Sequence, residues 1–228
     1  MAHKLDNIPI TTNFAQALQK LRIEESEDIE FASQLFETAK KIAKPKVLYR
    51  EVYVEEISGR NIRINGYDFE STVLVMQLKN THRVFSYICT CGKEIDDWSH
   101  TEKDYVAYIW LDMIKEMFLD EASIFLRNHL ITTYQFEKLS SVSPGSGSEG
   151  NWPISQQTQL FSMTGDVKEE IGVNLTDSFL MIPTKSVSGL LFPSEIEFMN
   201  CKLCEREICQ RRNVEFDKEL HDKIFIVN

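Results

Sequence analysis

The segment from about Thr101 to His129 constrains the fold more than any other part of the chain. Apolar side chains recur in it at three- and four-residue steps, which predicts one long helix. The apolar band is wide, and a wide band predicts burial on more than one side. We therefore expect other elements to pack against this helix from more than one direction. The apolar positions include Tyr105, Tyr108, Ile109, Leu111, Ile114, Phe118, Ala122, Phe125 and Leu126.

Shorter elements are predicted on both sides of this helix. Ser26 reads as the N-cap of a helix that ends before Pro45, and Gly172 as the end of another. Alternating apolar residues predict strands, and a tight connection joins the two that fall within Asp177–Phe192. The remaining predictions are strands at Lys46–Ile57, Ile62–Ile64 and His82–Cys89, helices at Glu70–Asn80 and Ser155–Ile171, and a helix followed by a short strand at Phe216–Val227.

Composition excludes several classes of protein. The 228 residues include 14 Phe, 7 Tyr and 3 Trp, enough apolar area to exclude a disordered chain. The net charge of −10 argues against nonspecific nucleic-acid binding and against an anionic membrane surface, because both need a basic face. No apolar run approaches the ~20 residues of a membrane span, and the N-terminus lacks the apolar core of a signal peptide. We therefore predict a cytoplasmic protein.

Residues Ser140–Asn151 read SSVSPGSGSEGN, a composition that argues against a regular element. Two interpretations remain open. The segment is either a flexible linker between domains, which composition favours, or a ligand loop in which glycine lets main-chain amides approach closely.

Three cysteines, Cys201, Cys204 and Cys209, form a C-x2-C-x4-C pattern. A Cys-x2-Cys pair lets two thiolates converge on one metal ion, and nearby arginines favour the thiolate form. We favour zinc or an iron–sulfur cluster, for which Cys89, Cys91 or His221 could supply a fourth ligand. Reduced thiols without metal, or a reversible Cys201–Cys204 pair, are the alternatives.

Cys89 and Cys91 fall at the end of a predicted buried strand, on the same face. Cysteine is among the most buried residue types, so a core position is favoured over a ligand role.

The order SPGSG, WPISQQTQLFSM, GVNLTDSFLMIP and KSVSGLLF resembles the activation domain of cobalamin-dependent methionine synthase, in its free-standing form. The resemblance extends over roughly Lys46–Pro193, and the cysteine pattern lies beyond it. It implies an α+β fold with a curved, largely antiparallel mixed sheet and long flanking helices. It also implies a domain that binds S-adenosylmethionine and presents the methyl group to the cobalt of a partner-bound cobalamin while an electron is delivered.

The family loop reads Arg-x-x-Pro-Gly-Tyr or a near variant, which places ligand binding at Ser143, Pro144 and Gly145. Ser141 stands where the family has Arg, and Ser146 where it has Tyr. Serine cannot replace a bidentate carboxylate partner, so we expect S-adenosylmethionine binding to be weak or absent unless another cation takes that place.

The resemblance also places an acidic ligand from the long helix at Asp120, with Glu121 as its neighbour in an uncertain register. The alternative for Asp120 is an exposed helix acid that pairs with Lys115 or Arg127.

Three functions follow as hypotheses. The first is an accessory protein, not a complete enzyme, that reactivates a cobalamin-dependent methionine synthase or related corrinoid methyltransferase; its partner carries the cobalamin, because this chain has no Asp-x-His-x-x-Gly segment. The second is an iron–sulfur or zinc-bearing electron-transfer or docking module that has lost S-adenosylmethionine binding. The third is a scaffold that binds a corrinoid protein.

We divide the chain into an N-terminal helical segment (1–45), an activation-domain-like core (46–193) and a C-terminal cysteine-bearing segment packed on that core (194–228).

Overall fold

A seven-stranded sheet with helices on both faces forms the centre of the molecule. The computed structural model describes residues 1–146, 152–195, 198, 200–209, 212 and 214–225. The strands are β1 (Ala2–Leu5), β2 (Lys46–Ser58), β3 (Asn61–Ile64), β4 (Tyr67–Glu70), β5 (Arg83–Thr90), β6 (Leu139–Val142), β7 (Asn174–Leu175), β8 (Met181–Ile182) and β9 (Ser186–Pro193). The helices are α1 (Phe14–Leu21), α2 (Ser26–Ile42), α3 (Thr72–Leu78), α4 (Lys93–Ser99), α5 (Tyr105–Tyr134), α6 (Gln157–Thr164), α7 (Val167–Ile171) and α8 (Lys218–Phe225), with short 3₁₀ turns at Ile154–Gln156 and Asn200–Leu203.

The strand order of the large sheet is β4-β3-β2-β5-β9-β6, and β1 pairs with β2. Each strand pairing among the described residues is antiparallel. The strand β2 shifts register between Val54 and Glu56, so its first part pairs with β1 and β5 and its last part with β3. Such a bulge bends a strand and increases the local twist. The predicted α+β class with a largely antiparallel sheet and flanking helices is confirmed.

The helix α5 lies against one face of the sheet, with α1 and α2 against its other sides. Its N-cap, Asp104, accepts a hydrogen bond from the backbone N–H of Ala107, and the helix continues to Tyr134, five residues beyond the predicted end. Phe118 of α5 packs against Phe36 of α2, with ring centroids 6.0 Å apart. The helix is therefore buried on more than one side, as the wide apolar band predicted.

One polar cluster lies within this packing. The Lys115 ammonium donates to Asp96 Oδ1 at 3.0 Å and to Ser99 Oγ at 2.9 Å, and all three side chains are buried. A buried ion pair of this kind depends on both partners being present.

A second core lies on the opposite face of the sheet, under α3 and α6. The rings of Phe69 and Trp152 meet edge to face there, 5.8 Å apart. Phe198 and Leu203 lie in this same core, so the C-terminal segment contacts the sheet layer through buried apolar side chains.

Several local predictions were wrong. Glu25, not Ser26, is the N-cap of α2, because the chain is already helical at Ser26. The residues 140–142 lie in β6 and pair with β9, because the sheet supplies hydrogen-bond partners that their composition does not reveal. The predicted helix at 155–171 is divided at Gly165, whose φ of 141° is incompatible with a helix.

The two strands predicted in 177–192 exist, but they do not form a hairpin in one sheet. The strand β8 pairs with β7, and β9 pairs with β5 and β6 in the large sheet. The strand β1 was not predicted at all. The strand predicted at the end of 216–227 falls partly outside the described residues. In the part of the chain that the structure describes, no helix has the length and apolar character needed to cross a membrane.

Candidate functional site

An open cleft of about 730 Å³ lies where three segments meet: the turn after β6, the chain from Phe179 to Ser188, and the 201–209 segment. The turn and the cysteine segment were predicted for separate reasons, and the structure brings them to one cavity. Ser143, Pro144 and Gly145 line one wall, and Cys201, Cys204 and Cys209 line another.

The turn at Ser143–Ser146 is held from both sides. The N–H of Ser146 donates to the carbonyl of Ser143 at 3.3 Å, and the N–H of Gly145 donates to the carbonyl of Trp152 at 2.8 Å. Gly145 has φ of 70°, and a Cβ there would lie 2.7 Å from Ile154 Cδ1. A Pro-Gly pair with positive φ at glycine is typical of a type II turn. The turn therefore requires glycine at position 145 for two reasons: the positive φ, and the lack of room for a Cβ.

The start of this turn rests on the sheet. The hydroxyls of Ser143 and the buried Tyr87 hydrogen-bond to each other, and burial is the main reason why the pKa of Tyr87 rises to about 12. Gly189 of β9 makes this close approach possible, since a Cβ there would lie 2.5 Å from the carbonyl oxygen of Val142. The turn is thus positioned by two buried neighbours in adjacent strands.

Gln157, the first residue of α6, carries the unusual polar group of the cleft. Its side chain is 1% exposed, yet its Nε2 has no hydrogen-bond partner in the described structure. Buried polar groups in proteins are nearly always paired, and an exception needs a reason. The neighbouring Gln156 shows the contrast, because its amide bonds both backbone groups of Glu70 and accepts from the Trp152 indole.

The opposite wall is apolar and contains a strained residue. Phe179 lines the cleft with φ of 62°, in a turn closed by its N–H donating to the carbonyl of Thr176 at 2.9 Å. A bulky residue at positive φ is uncommon and often marks a functional position. Leu180 and Ile182, also in the lining, are largely exposed, so an apolar rim faces solvent.

Charged groups on α5 come close to the start of β9. Lys185 pairs with Asp112 at 2.8 Å and with Glu116 at 3.2 Å. Burial alone would lower the pKa of Lys185, but the hydrogen bonds to these two carboxylates outweigh it and raise the pKa. Asp112 and Glu116 of the long helix are therefore already paired with a lysine.

Asp120 lies elsewhere. It lines a separate cavity with Lys20, whose ammonium is 3.4 Å from Asp120 Oδ2, and with Glu121. Asp120 thus forms an ion pair with Lys20 of α1. The structure does not bring Asp120 to the cleft that holds Ser143–Gly145.

Glu121 fixes the N-terminal segment to α5. Its carboxylate accepts hydrogen bonds from the backbone and hydroxyl groups of Thr11 and Thr12. Burial by itself would raise the pKa of Glu121, and these hydrogen bonds lower it below its ordinary value. The role of Glu121 in the structure is therefore to anchor the chain before α1.

The cysteine segment is shaped by Arg212. Its guanidinium donates to the carbonyls of Cys201, Cys204 and Arg206, at 3.4 Å for Cys201 and 3.1 Å for Cys204. The described residues contain no group of three or more Cys, His, Asp and Glu side chains arranged to hold a metal ion. The metal site at Cys201, Cys204 and Cys209 stays a prediction.

The candidates for a fourth ligand separate in the structure. Cys89 and Cys91 are completely buried in the α5 core, and burial is the main cause that raises the pKa of each to about 12. Both therefore occupy the favoured core position. His221 lies instead beside Glu205, at 4.0 Å, and stacks edge to face on Phe216.

A family model described as "Vitamin B12 dependent methionine synthase, activation domain" matches residues 129–211. The chain resembles the activation domain of methionine synthase. The matched range begins later than the predicted Lys46 and continues past Pro193 through all three cysteines, so the cysteine pattern lies inside the matched range and not beyond it.

The fold agrees with this likeness. The crystal structure of the MetH reactivation domain bound to AdoHcy matches with a TM-score of 0.58 and 15% sequence identity, over 88% of this chain and 81% of that one. At this identity, the likeness shows that the chain has the activation-domain fold. No curated protein matches the sequence.

Among the residues of this cleft that sequence reasoning missed are Gln157, Phe179 and Arg206. None has a sequence signal of its own. A glutamine opening a helix is ordinary, and only the burial of its amide without a partner makes it informative. Positive φ at Phe179 and the orientation of Arg206 toward the cleft depend on tertiary contacts that one sequence does not reveal.

Proposed function

We propose that this protein binds S-adenosylmethionine in the cleft and presents it to a cobalamin carried by a separate protein, supporting reductive methylation of inactive Co(II) cobalamin. The resemblance to the methionine synthase activation domain supports a role in reactivation of a cobalamin-dependent methionine synthase or a related corrinoid methyltransferase. The observation that carries the proposal for this chain is the buried Gln157 amide without a partner, in a cleft formed by the Ser143–Gly145 turn.

The residues of the cleft fit such a ligand. Ligand pockets have volumes of about 300–1,000 Å³ and combine apolar walls with a few polar groups, and this cleft falls in that range. Gln157 offers a desolvated N–H donor, which suits a ring nitrogen or carbonyl-type acceptor on the ligand. Phe179 and Met181 offer apolar surface for a flat aromatic base.

Each part of the chain has a separable task in this proposal. When bound, S-adenosylmethionine supplies a methyl group on a positively charged sulfur. The turn at Ser143–Gly145 shapes one wall of the cleft, because Gly145 without a Cβ lets the turn pack closely on Ile154. The apolar rim of Leu180 and Ile182 excludes water from the contact with the partner. The methyl acceptor of the whole system and a cytoplasmic location remain predictions of the sequence.

The cysteine segment supports a second candidate function. All three thiols line the same cleft, where an electron would have to reach the partner's cobalt. In this alternative, Cys201, Cys204 and Cys209 hold an iron–sulfur cluster or zinc, and the cleft serves for electron transfer or docking without S-adenosylmethionine. The metal would have to draw the thiolates together, since the described residues form no group arranged to hold a metal ion.

Titration calorimetry of S-adenosylmethionine into anaerobically purified protein tests the first proposal. Saturable binding that Gly145→Asp abolishes supports a ligand cleft, because the new side chain meets Ile154 and occupies the turn. The absence of heat at millimolar ligand argues against it. Iron and zinc analysis of the same sample tests the alternative: a colourless protein without iron or zinc, before and after anaerobic reconstitution, argues against a metal-bearing module.

A further inference from the structure

We infer that Arg206 binds the carboxylate of the ligand in the cleft, an inference that rests on the proposed binding of an amino-acid-bearing adenosyl compound. Arg206 is exposed and lines the cleft on the wall formed by the cysteine segment. Among the described lining residues it is the one Lys, Arg or His, and none of them is Asp or Glu. The cleft therefore has local positive charge in a chain with a net charge of −10.

The guanidinium of Arg206 is free while its backbone is fixed. In the described structure its side chain makes no hydrogen bond or ion pair, whereas its carbonyl accepts from Arg212. Arg212 also donates to the carbonyl of Cys204 at 3.1 Å, so it holds the segment on which Arg206 stands. A five-donor fork on a fixed backbone is well suited to two parallel hydrogen bonds with a carboxylate.

The other cations near the turn are already engaged. Arg127 of α5 donates to the carbonyl of Leu139 at 2.7 Å and to the hydroxyl of Ser141 at 3.0 Å, which ties β6 to the long helix. Lys185 is neutralised by two carboxylates of the same helix. Moving either cation to a ligand would break existing ion pairs or hydrogen bonds, whereas Arg206 has none to lose.

The test compares two adenosyl thioethers by titration calorimetry: S-adenosylhomocysteine, which carries the amino-acid carboxylate, and 5′-methylthioadenosine, which lacks the amino-acid group. The variants are Arg206→Gln and, as a matched control, Arg60→Gln, an exposed arginine in the turn between β2 and β3. Melting curves of both variants check that the fold is intact.

We expect Arg206→Gln to weaken S-adenosylhomocysteine binding about 10- to 100-fold, the range for hydrogen bonds to a charged group, and to leave 5′-methylthioadenosine binding within about twofold. Arg60→Gln should change neither. Loss of less than about twofold for S-adenosylhomocysteine, or equal loss for both ligands, overturns the role of Arg206 while leaving the proposed cleft intact. Failure of the unmodified protein to bind either ligand overturns the proposed function together with this inference.

Discussion

The unpaired amide of Gln157 predicts that one substitution will raise stability and reduce ligand binding at the same time. Gln157→Met keeps the length of the side chain and removes the buried N–H that has no partner. Methionine is flexible and apolar, so it can occupy a similar volume without a new polar group to satisfy. The substitution therefore tests how much the unpaired N–H lowers the free energy of unfolding, with the shape of the side chain nearly unchanged.

The magnitude follows from the burial of the group. An unsatisfied buried donor costs about 1–3 kcal/mol, and the free energy of unfolding should rise by about 1 kcal/mol once that donor is removed and some packing is lost. For a chain of this size, about 1 kcal/mol shifts Tm by about 2–4 °C upward. The same donor, when it bonds a ligand, contributes about 0.5–1.5 kcal/mol, so binding should weaken about 2- to 10-fold.

Gln156→Met is the matched control, because it makes the same chemical change one residue earlier. Gln156 uses its amide fully, with bonds to the backbone N–H and carbonyl of Glu70 and to the Trp152 indole N–H, at 3.1–3.2 Å. Its replacement should lower the free energy of unfolding by about 1 kcal/mol or more, since these partners lose their bonds. Denaturant melts give the stability of both variants, and titration calorimetry with S-adenosylmethionine gives the affinity.

A higher free energy of unfolding for Gln157→Met together with a lower one for Gln156→Met supports the reasoning. A Gln157→Met protein that is less stable than the parent would show that the buried amide does not destabilise the ligand-free protein. Its burial would then be no argument for a ligand. A more stable variant with unchanged affinity would show that the orphan donor is real but does not face the bound molecule. Either result would refute the link between the two.

Three further perturbations have outcomes set by the structure. Gly189→Ala places a Cβ 2.5 Å from the carbonyl of Val142 and should cost about 2–4 kcal/mol in a denaturant melt. Lys115→Met leaves Asp96 buried and unpaired and should cost about 3–5 kcal/mol, part of which Asp96→Asn in the same chain should recover. Glu121→Gln should be less stable than the parent near neutral pH. The pKa of Glu121 is lowered in the fold, so its contribution to stability is complete above the unfolded pKa of about 4.3 and is lost as the pH falls through the folded pKa. In denaturant melts, parent and variant should therefore converge as the pH is lowered through that range.

Local patterns predicted the elements well where burial alone determines them. The strand β2 and the helix α5 carry buried apolar residues on more than one side, so their positions are visible in the sequence as long apolar patterns. Pairing is a different matter, because a strand pattern does not name its partner. The pattern within 177–192 therefore does not reveal that β8 pairs with β7 and β9 with the large sheet, and the composition of 140–142 does not reveal that β6 pairs with β9.

The site was predictable only in part for a related reason. A Ser-Pro-Gly turn and a cysteine pattern are visible in the sequence, since each depends on residues close in the chain. Asp120 was placed by a register without gaps along a 30-residue helix, and the structure pairs it with Lys20 on a different surface. Gln157 and Arg206 indicate a ligand only because their side-chain donors have no partner in the described structure. The spacing of residues in the sequence does not reveal such missing contacts.

The cations around the cleft differ in whether their side chains already bond groups of the protein. Arg127, Lys185 and Arg212 each bond groups of the protein itself: one holds β6 to the long helix, one ties β9 to that helix, and one shapes the cysteine segment. These three side chains stabilise the segments that line the cleft, whereas the Arg206 side chain makes no hydrogen bond or ion pair in the described structure. Arg206 lines the same cleft as a turn that requires glycine and a buried amide without a partner, and the proposed contact with a ligand carboxylate depends on this arrangement. Ligand binding should then raise Tm in the parent and raise it less in Arg206→Gln, because the ligand satisfies groups that the protein leaves open.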